Sequence, residues 1–202
     1  MSRLAKRRKE LVVSLMKDGI YEAAVRVLME RGAEGLTMDR VAESAGVAKG
    51  SLYNYFRSKR ELLQFIHEKT IEPAKDFLAE VRAASMPAAE KLQTVVRMWL
   101  EHFATNRGIF DFLFNDPRTR EVMEDCKRSS RLEGIEELRS FFEQGIAEGA
   151  FRPIDTQRTA EMFLGAVILT MEQQLMLNLN RPAEESAAAL LDLFLNGLRP
   201  QA

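Results

Sequence analysis

Residues 37–62, TMDRVAESAGVAKGSLYNYFRSKREL, constrain the fold more than any other stretch of the chain. They read as two short helices around a tight turn, then a basic, aromatic-rich segment and a fresh helix start. Thr37 can cap the first of these helices, whose inner face is Val41, Ala42 and Ala45. Gly46 supplies the permissive backbone that a turn between steeply crossed helices needs. Ala48 to Asn54 is then a short second helix, small at its start and able to approach base edges. Ser58-Lys-Arg-Glu61 has the capping-box form and opens the next helix. This order of elements is a helix-turn-helix, which places one short helix in the major groove of duplex DNA. Taken singly, a glycine turn, a Lys/Arg pair or the Tyr53, Tyr55, Phe56 cluster would read as ordinary surface or core; the signal lies in their order.

The same residues resemble the TetR/AcrR family of bacterial transcriptional regulators. The resemblance is carried by Ile20-Tyr-Glu-Ala-Ala24, Arg31-Gly32, Thr37, Val41-Ala42, Ala45-Gly46-Val47, Lys49-Gly50-Ser51-Leu52-Tyr53, Tyr55-Phe56 and Ser58-Lys59. Beyond residues 20–65 it rests on length, helical pattern and the EGAFRP segment before the last two helices. It implies that Lys49, Ser51, Tyr53, Asn54 and Tyr55 face DNA, that Thr37 and Lys59 lie on phosphates, and that Arg40 lies near a base edge. It also implies a homodimer on an inverted-repeat operator and a small-molecule effector. Two departures matter. About nineteen residues precede Ile20, and Lys9 to Lys17 has apolar residues of its own, expected to add a helical turn or two. Asn54 stands at a position that varies in the family, so operator sequence is not inherited from the resemblance.

Length and charge agree with a head-and-body chain. The 202 residues allow one or two domains with an ample core. The overall charge of −1 divides into +5 over residues 1–70 and −6 over residues 71–202. A basic head on an acidic remainder suits a DNA-binding domain joined to a body that does not bind DNA. No segment alternates with period two, so the expected class is all-α. The expected architecture is a three-helix helix-turn-helix head, residues 1–70, on a larger helical ligand-binding and dimerisation body, residues 71–202, with about nine helices. One cysteine, Cys126, admits no internal disulfide. The longest uncharged apolar run, between Glu161 and Glu172, falls short of the roughly 20 residues that span a bilayer. No signal peptide is visible, and the expected setting is cytoplasmic, away from any membrane.

Along the chain, Arg3 to Lys9 is a basic arm, expected to be disordered without DNA; a phosphate track, a minor-groove contact and a solubilising tail all stay open for it. Ile20, Ala23, Ala24, Val27 and Leu28 form the apolar stripe of the first helix, which Gly32 should end. Pro73 should kink or break the fourth helix and mark the domain boundary. Later helices are expected at Ala88 to Thr105, Ile109 to Phe114, from Asp116-Pro117 to about Glu148, Thr156 to about Asn178, and Ala183 to about Leu198.

The last two helices carry a second signal. Met162 to Leu169 is apolar almost all round, and Leu190, Leu191, Phe194, Leu195 and Leu198 form a stripe. Phe163, Val167, Leu190, Leu191, Phe194 and Leu195 are the candidate dimer contacts of a four-helix bundle on a two-fold axis, with closure of the monomer core as the alternative. Trp99, Phe103, Phe110, Phe114, Met123, Met162 and Met171, with Gln174 as a polar group, are the candidates for lining a lipophilic ligand site. Aromatic and methionine stripes at helical spacing are also what a plain core looks like. No phosphate loop, nucleophile elbow, metal-spaced His/Cys cluster or distinguished carboxylate pair is present, so neither an enzyme nor a cofactor is expected. Two readings remain. One is a regulator, most simply a repressor, released from DNA by a small lipophilic effector. The other is a DNA-binding regulator without a ligand, controlled by concentration or a protein partner.

Overall fold

The helical periodicities of the sequence become helices almost without loss. A computed structural model describes residues 3–117 and 119–198, and among them are nine α-helices and no strand. These are α1 (Arg3–Gly35), α2 (Met38–Ser44), α3 (Lys49–Tyr55), α4 (Lys59–Ala83), α5 (Ala88–Thr105), α6 (Arg107–Asn115), α7 (Arg120–Ala147), α8 (Thr156–Met176) and α9 (Ala183–Leu198). No helix among the described residues is long and apolar enough to cross a membrane.

By internal contacts the chain divides into two units. Residues up to Thr70 form the first, joined by Asp111–Met123; Ile71–Phe110 and Glu124 onward form the second. The division read from sequence gave Asp111–Met123 to the body, whereas contacts place it with the head.

In the first unit, α1 lays its Ile20, Ala23, Ala24, Val27 and Leu28 stripe into a core shared with Leu36, Val41, Ala42, Leu52, Phe56, Leu62, Leu63 and Ile66. The N-terminal segment departs from the sequence expectation. The segment from Arg3 to Gly19 is not an arm with an added turn or two; it is the first half of α1, continuous with the buried half. Gly32, at φ 64° and ψ −174°, ends the long helical run as expected, and a short turn follows to Gly35. Asp116-Pro117, in contrast to the sequence expectation, is not the start of α7. Thr119 donates its N–H and its hydroxyl to the Asp116 carbonyl (3.1 and 2.9 Å), and its own carbonyl accepts from Met123 N–H (2.8 Å) as α7 begins.

Pro73 does not break α4, which runs from Lys59 to Ala83 with the proline inside it. Proline costs the helix one hydrogen bond. Burial of Leu62, Leu63 and Ile66 before it and of Leu78 and Val81 after it holds each half in helical register.

In the second unit, an aromatic series links three helices. Phe142 of α7 meets Phe163 of α8 edge-on at 5.7 Å, and Phe163 meets Phe194 of α9 edge-on at 4.8 Å. Leu92, Val95, Val96, Leu100 and Phe103 of α5 complete this core. The first turn of α5 follows Pro87, which has no side-chain cap to offer. Glu148 supplies one instead, accepting the Ala88 N–H at 3.0 Å and the Gln144 side-chain amide at 2.6 Å.

Candidate nucleic-acid interface

The site is built on α2, α3 and the turn between them. Thr37 has extended backbone, and its hydroxyl accepts the N–H of Arg40 at 3.3 Å, so α2 starts where the capping argument places it. At its other end, the Arg26 guanidinium donates to the Ser44 carbonyl at 3.1 Å, which fixes α1 to the last turn of α2. Gly46 has φ 68°, the left-handed conformation the turn requires, and Val47 N–H then closes on the Ala42 carbonyl at 3.0 Å.

The second helix, α3, has seven residues and one buried side chain, Leu52. Every other α3 side chain is exposed or half-buried, which leaves Lys49, Ser51, Tyr53, Asn54 and Tyr55 available along one short helix. Phe56 closes α3 and is buried, with its ring 5.1 Å from that of Phe65 on α4. The start of α4 makes a reciprocal cap: Glu61 N–H donates to the Ser58 hydroxyl (3.2 Å), and the Glu61 carboxylate accepts the Arg57 N–H (2.7 Å). Thr37, Arg40 and Lys59 are exposed, so the eight candidate DNA contacts lie on α2, α3, their flanks and the first turn of α4, all exposed but the half-buried Ser51 and Tyr55. The arrangement offers a hydroxyl, amide and cation surface of the kind that meets phosphates and base edges.

Sequence reasoning missed three residues that order this surface. Asp39 holds the Lys49 ammonium at 2.7 Å, and this hydrogen bond and charge raise the lysine pKa above its ordinary value. The pair spans ten positions and two helices, so no local pattern announces it. Lys17 of α1 sits 5.2 Å from the centre of the Phe56 ring and 5.4 Å from that of Phe65. Arg26, described above, was hidden among ordinary surface charges. Arg40 was foreseen as a DNA contact; its guanidinium donates to the Gly35 carbonyl at 3.2 Å.

The candidate ligand residues divide between the two units. Phe114 and Met123 group with the first unit. In the second, Phe103 and Phe110 pack at 5.5 Å, with His102 edge-on to Phe110 at 5.7 Å. Met171 and Gln174 are buried and Trp99 is half-buried. Gln174 is fixed by its backbone, whose carbonyl accepts from Arg107 at 2.6 Å, while the Leu179 carbonyl accepts from the same guanidinium. A groove of about 320 Å³ is lined by Gln93, Arg97, Ala188, Leu191, Asp192, Leu195 and Asn196, and contains none of the eight ligand candidates.

The candidate dimer residues differ in their burial within the protomer, with Leu190, Phe194 and Leu195 half-buried. Phe163 and Val167 face the core of their own protomer, and Leu191 is buried there too. The face of α8 left uncovered carries Met162, Leu169 and Met176, which are 63%, 53% and 71% exposed and recur every seven residues. On α9 the exposed apolar residue is Leu193 at 72%, flanked by half-buried Leu190 and Phe194. Met162 therefore lines no enclosed space within the protomer.

Comparison with known proteins covers head and body alike. The family described as bacterial regulatory proteins, tetR family, matches residues 20–66. The HTH-type transcriptional regulator YhgD of Bacillus subtilis, itself uncharacterized, is 29% identical over 187 residues, 88% of this chain and 93% of the relative. Among solved structures, a TetR transcription regulator from Haloarcula marismortui superposes with a TM-score of 0.81 at 20% identity, covering 93% of this chain and all of that one. The transcriptional regulator FadR from Bacillus subtilis, in complex with stearoyl-CoA, superposes with a TM-score of 0.73 at 21% identity, covering 90% of this chain and 98% of that one.

Proposed function

We propose that this chain, which matches the tetR family of bacterial regulatory proteins over residues 20–66, is a DNA-binding transcriptional regulator, a dimeric repressor released from an inverted-repeat operator by a small lipophilic effector. The observation that carries the DNA side is α3, anchored by Leu52 and closed by the buried Phe56, with Lys49, Ser51, Tyr53, Asn54 and Tyr55 exposed or half-buried along it. In this reading Tyr53 and Tyr55 give hydroxyls to phosphate while Asn54 and Arg40 lie near base edges. Thr37 and Lys59 stand at the starts of α2 and α4, where the backbone amides also favour an anion. Lys49 exchanges Asp39 for a phosphate.

The test is fluorescence anisotropy against a duplex selected by the protein from a random pool. Lys59→Ala should weaken binding to all sequences and reduce the salt slope by about one per protomer, about two for the dimer. Unchanged affinity and slope would remove Lys59 from the interface.

The effector side is supported by likeness of fold to FadR, which holds stearoyl-CoA. Phe103, Phe110, Met171 and Gln174 are the lining we propose in the second unit. An effector acts only through its differential affinity for the DNA-binding and released states. Operator must then weaken effector binding by the same factor that effector weakens operator binding. Calorimetric titration of an acyl-CoA with and without operator checks this; equal affinities would rule it out as an inducer. A second reading, regulation without a ligand, is favoured by the packing of Phe103, Phe110 and Met171 as buried core. It predicts no rise in melting temperature with any acyl-CoA.

A further inference from the structure

We propose that the first two turns of α1, Arg3 to Lys9, form a helical DNA-binding extension that grips phosphates flanking the sequence read by α3. This rests on the DNA-binding reading of the head and extends its footprint beyond the helix-turn-helix.

Three observations carry it. The first is register. Lys17 lies at Phe56 and Phe65, Asp18 pairs with Lys69 at 3.0 Å, and the Tyr21 hydroxyl lies 3.4 Å from that of Thr70. Contacts thus ascend α1 and α4 together, so the two helices run in the same sense. Following α1 back from Lys17 leads toward the start of α4 at Lys59, beside Phe56, which closes α3. At about 1.5 Å per residue, Lys59 lies roughly 9 Å below Phe65, while Lys9 lies roughly 12 Å and Arg3 roughly 21 Å below Lys17. The basic turns therefore project past the level of Lys59, on the side where α3 and the start of α4 present their cations.

The second observation is charge. Arg3, Lys6, Arg7, Arg8 and Lys9 are five cations in seven residues, with no carboxylate before Glu10. All five are exposed, and no carboxylate of the described residues pairs with them. Arg3, Lys6 and Arg7 fall at i, i+3 and i+4, on one side of the helix. The third is rigidity. The segment is continuous with the buried half of α1, so its cations are already ordered relative to the head rather than carried on a free tail. Duplex DNA is the polyanion this head is built to hold, and it runs on beyond the groove that α3 occupies.

The experiment uses the full chain and a variant with Arg3, Lys6, Arg7, Arg8 and Lys9 all changed to alanine, which keeps helix propensity and removes no buried group. Two duplexes are needed, both carrying the sequence the full chain selects from a random pool. One extends about ten base pairs beyond the inverted repeat on each side, and the other is trimmed to the repeat. With about three phosphates released per protomer, each contributing about 0.9, the salt slope for the dimer should fall by about five and affinity for the long duplex by at least about a hundredfold at 0.1 M salt. The parent should lose affinity on the trimmed duplex, and the variant should not distinguish the two. A second variant with Arg3, Arg7 and Arg8 changed to lysine keeps the charge and should bind like the parent. Equal affinity and slope for parent and alanine variant on the long duplex would overturn the inference. So would an alanine variant whose only defect is loss of dimer, since that would make the Leu4, Leu11 and Leu15 side of this segment an interface between copies. If the parent selects no duplex at all, it is the reading of the head that fails, not that of the extension.

Discussion

Leu52→Ala should be the most damaging single change to the recognition surface, although Leu52 itself reaches no DNA. A seven-residue helix is too short to persist by its own hydrogen bonds. What holds α3 is Leu52, fully buried at 0% exposure, and the buried Phe56 that ends it. Truncation to alanine removes three outer carbons, worth about 2.4 kcal/mol at roughly 0.8 kcal/mol each. The cavity left behind adds to this, so the expected cost is about 3 kcal/mol, within the range for buried leucines. Alanine is at least as good a helix former, so propensity does not offset or explain the loss. Against a total stability of roughly 5–15 kcal/mol, the variant should still fold, with a loosened α3. Urea unfolding followed by circular dichroism measures the first term, and operator anisotropy the second. Tyr53→Ala is the control. Tyr53 is on the same helix and 41% exposed, so it should cost under about 1 kcal/mol in stability while lowering DNA affinity directly. A Leu52→Ala protein that loses under 1 kcal/mol and binds operator as before would refute the claim that this one side chain anchors the helix.

Gly145→Ala should destabilise the second unit by about 1–3 kcal/mol, because the new methyl would stand 2.1 Å from the Phe151 ring; denaturant midpoints will show it. Met162→Glu with Leu193→Glu should leave the protomer folded and shift it to monomer in analytical ultracentrifugation at micromolar concentration, since both side chains are exposed; a fully dimeric double variant would place the dimer contact on another face. Glu148 has its pKa held below the ordinary value, chiefly by the Ala88 N–H and then by the Gln144 amide. Its contribution is therefore complete above the unfolded-state carboxylate pKa, near 4.5, and is lost as pH falls through the lower folded value. Melting temperature should drop more steeply between about pH 5 and pH 3 for the parent than for Glu148→Gln; equal slopes would remove Glu148 as the cap of α5.

The head was legible because its determinants are local. A capping hydroxyl, a left-handed glycine, one buried leucine in a seven-residue helix and a capping box each act within about four residues. Thr37, Gly46, Leu52 and Ser58 accordingly do in the structure what their neighbours in sequence require. The bounds of α5 and α9 were legible in the same way, from a periodic apolar stripe that stops, although the cap of α5 comes from Glu148, far along the chain. Pro73 shows where local reasoning misleads: the cost of one missing hydrogen bond was read correctly, but not the apolar burial on either side that outweighs it.

What only tertiary structure decided is which of several equally apolar or equally charged faces meets a partner. In α8 nearly every side chain from Met162 to Leu169 is apolar, so the sequence has no pattern with which to choose a face. Packing on α7 and α9 turns Phe163 and Val167 inward and leaves Met162, Leu169 and Met176 outside. Lys49 and Asp39 are two charges among many until the turn at Gly46 brings their helices together. The cations of Arg3 to Lys9 have a direction only because Lys17, Asp18 and Tyr21 fix the register of α1 on α4. Sequence determines which helices form, since a helix is closed by contacts within a few residues of itself. It leaves open which way they face, since that depends on residues dozens of positions away.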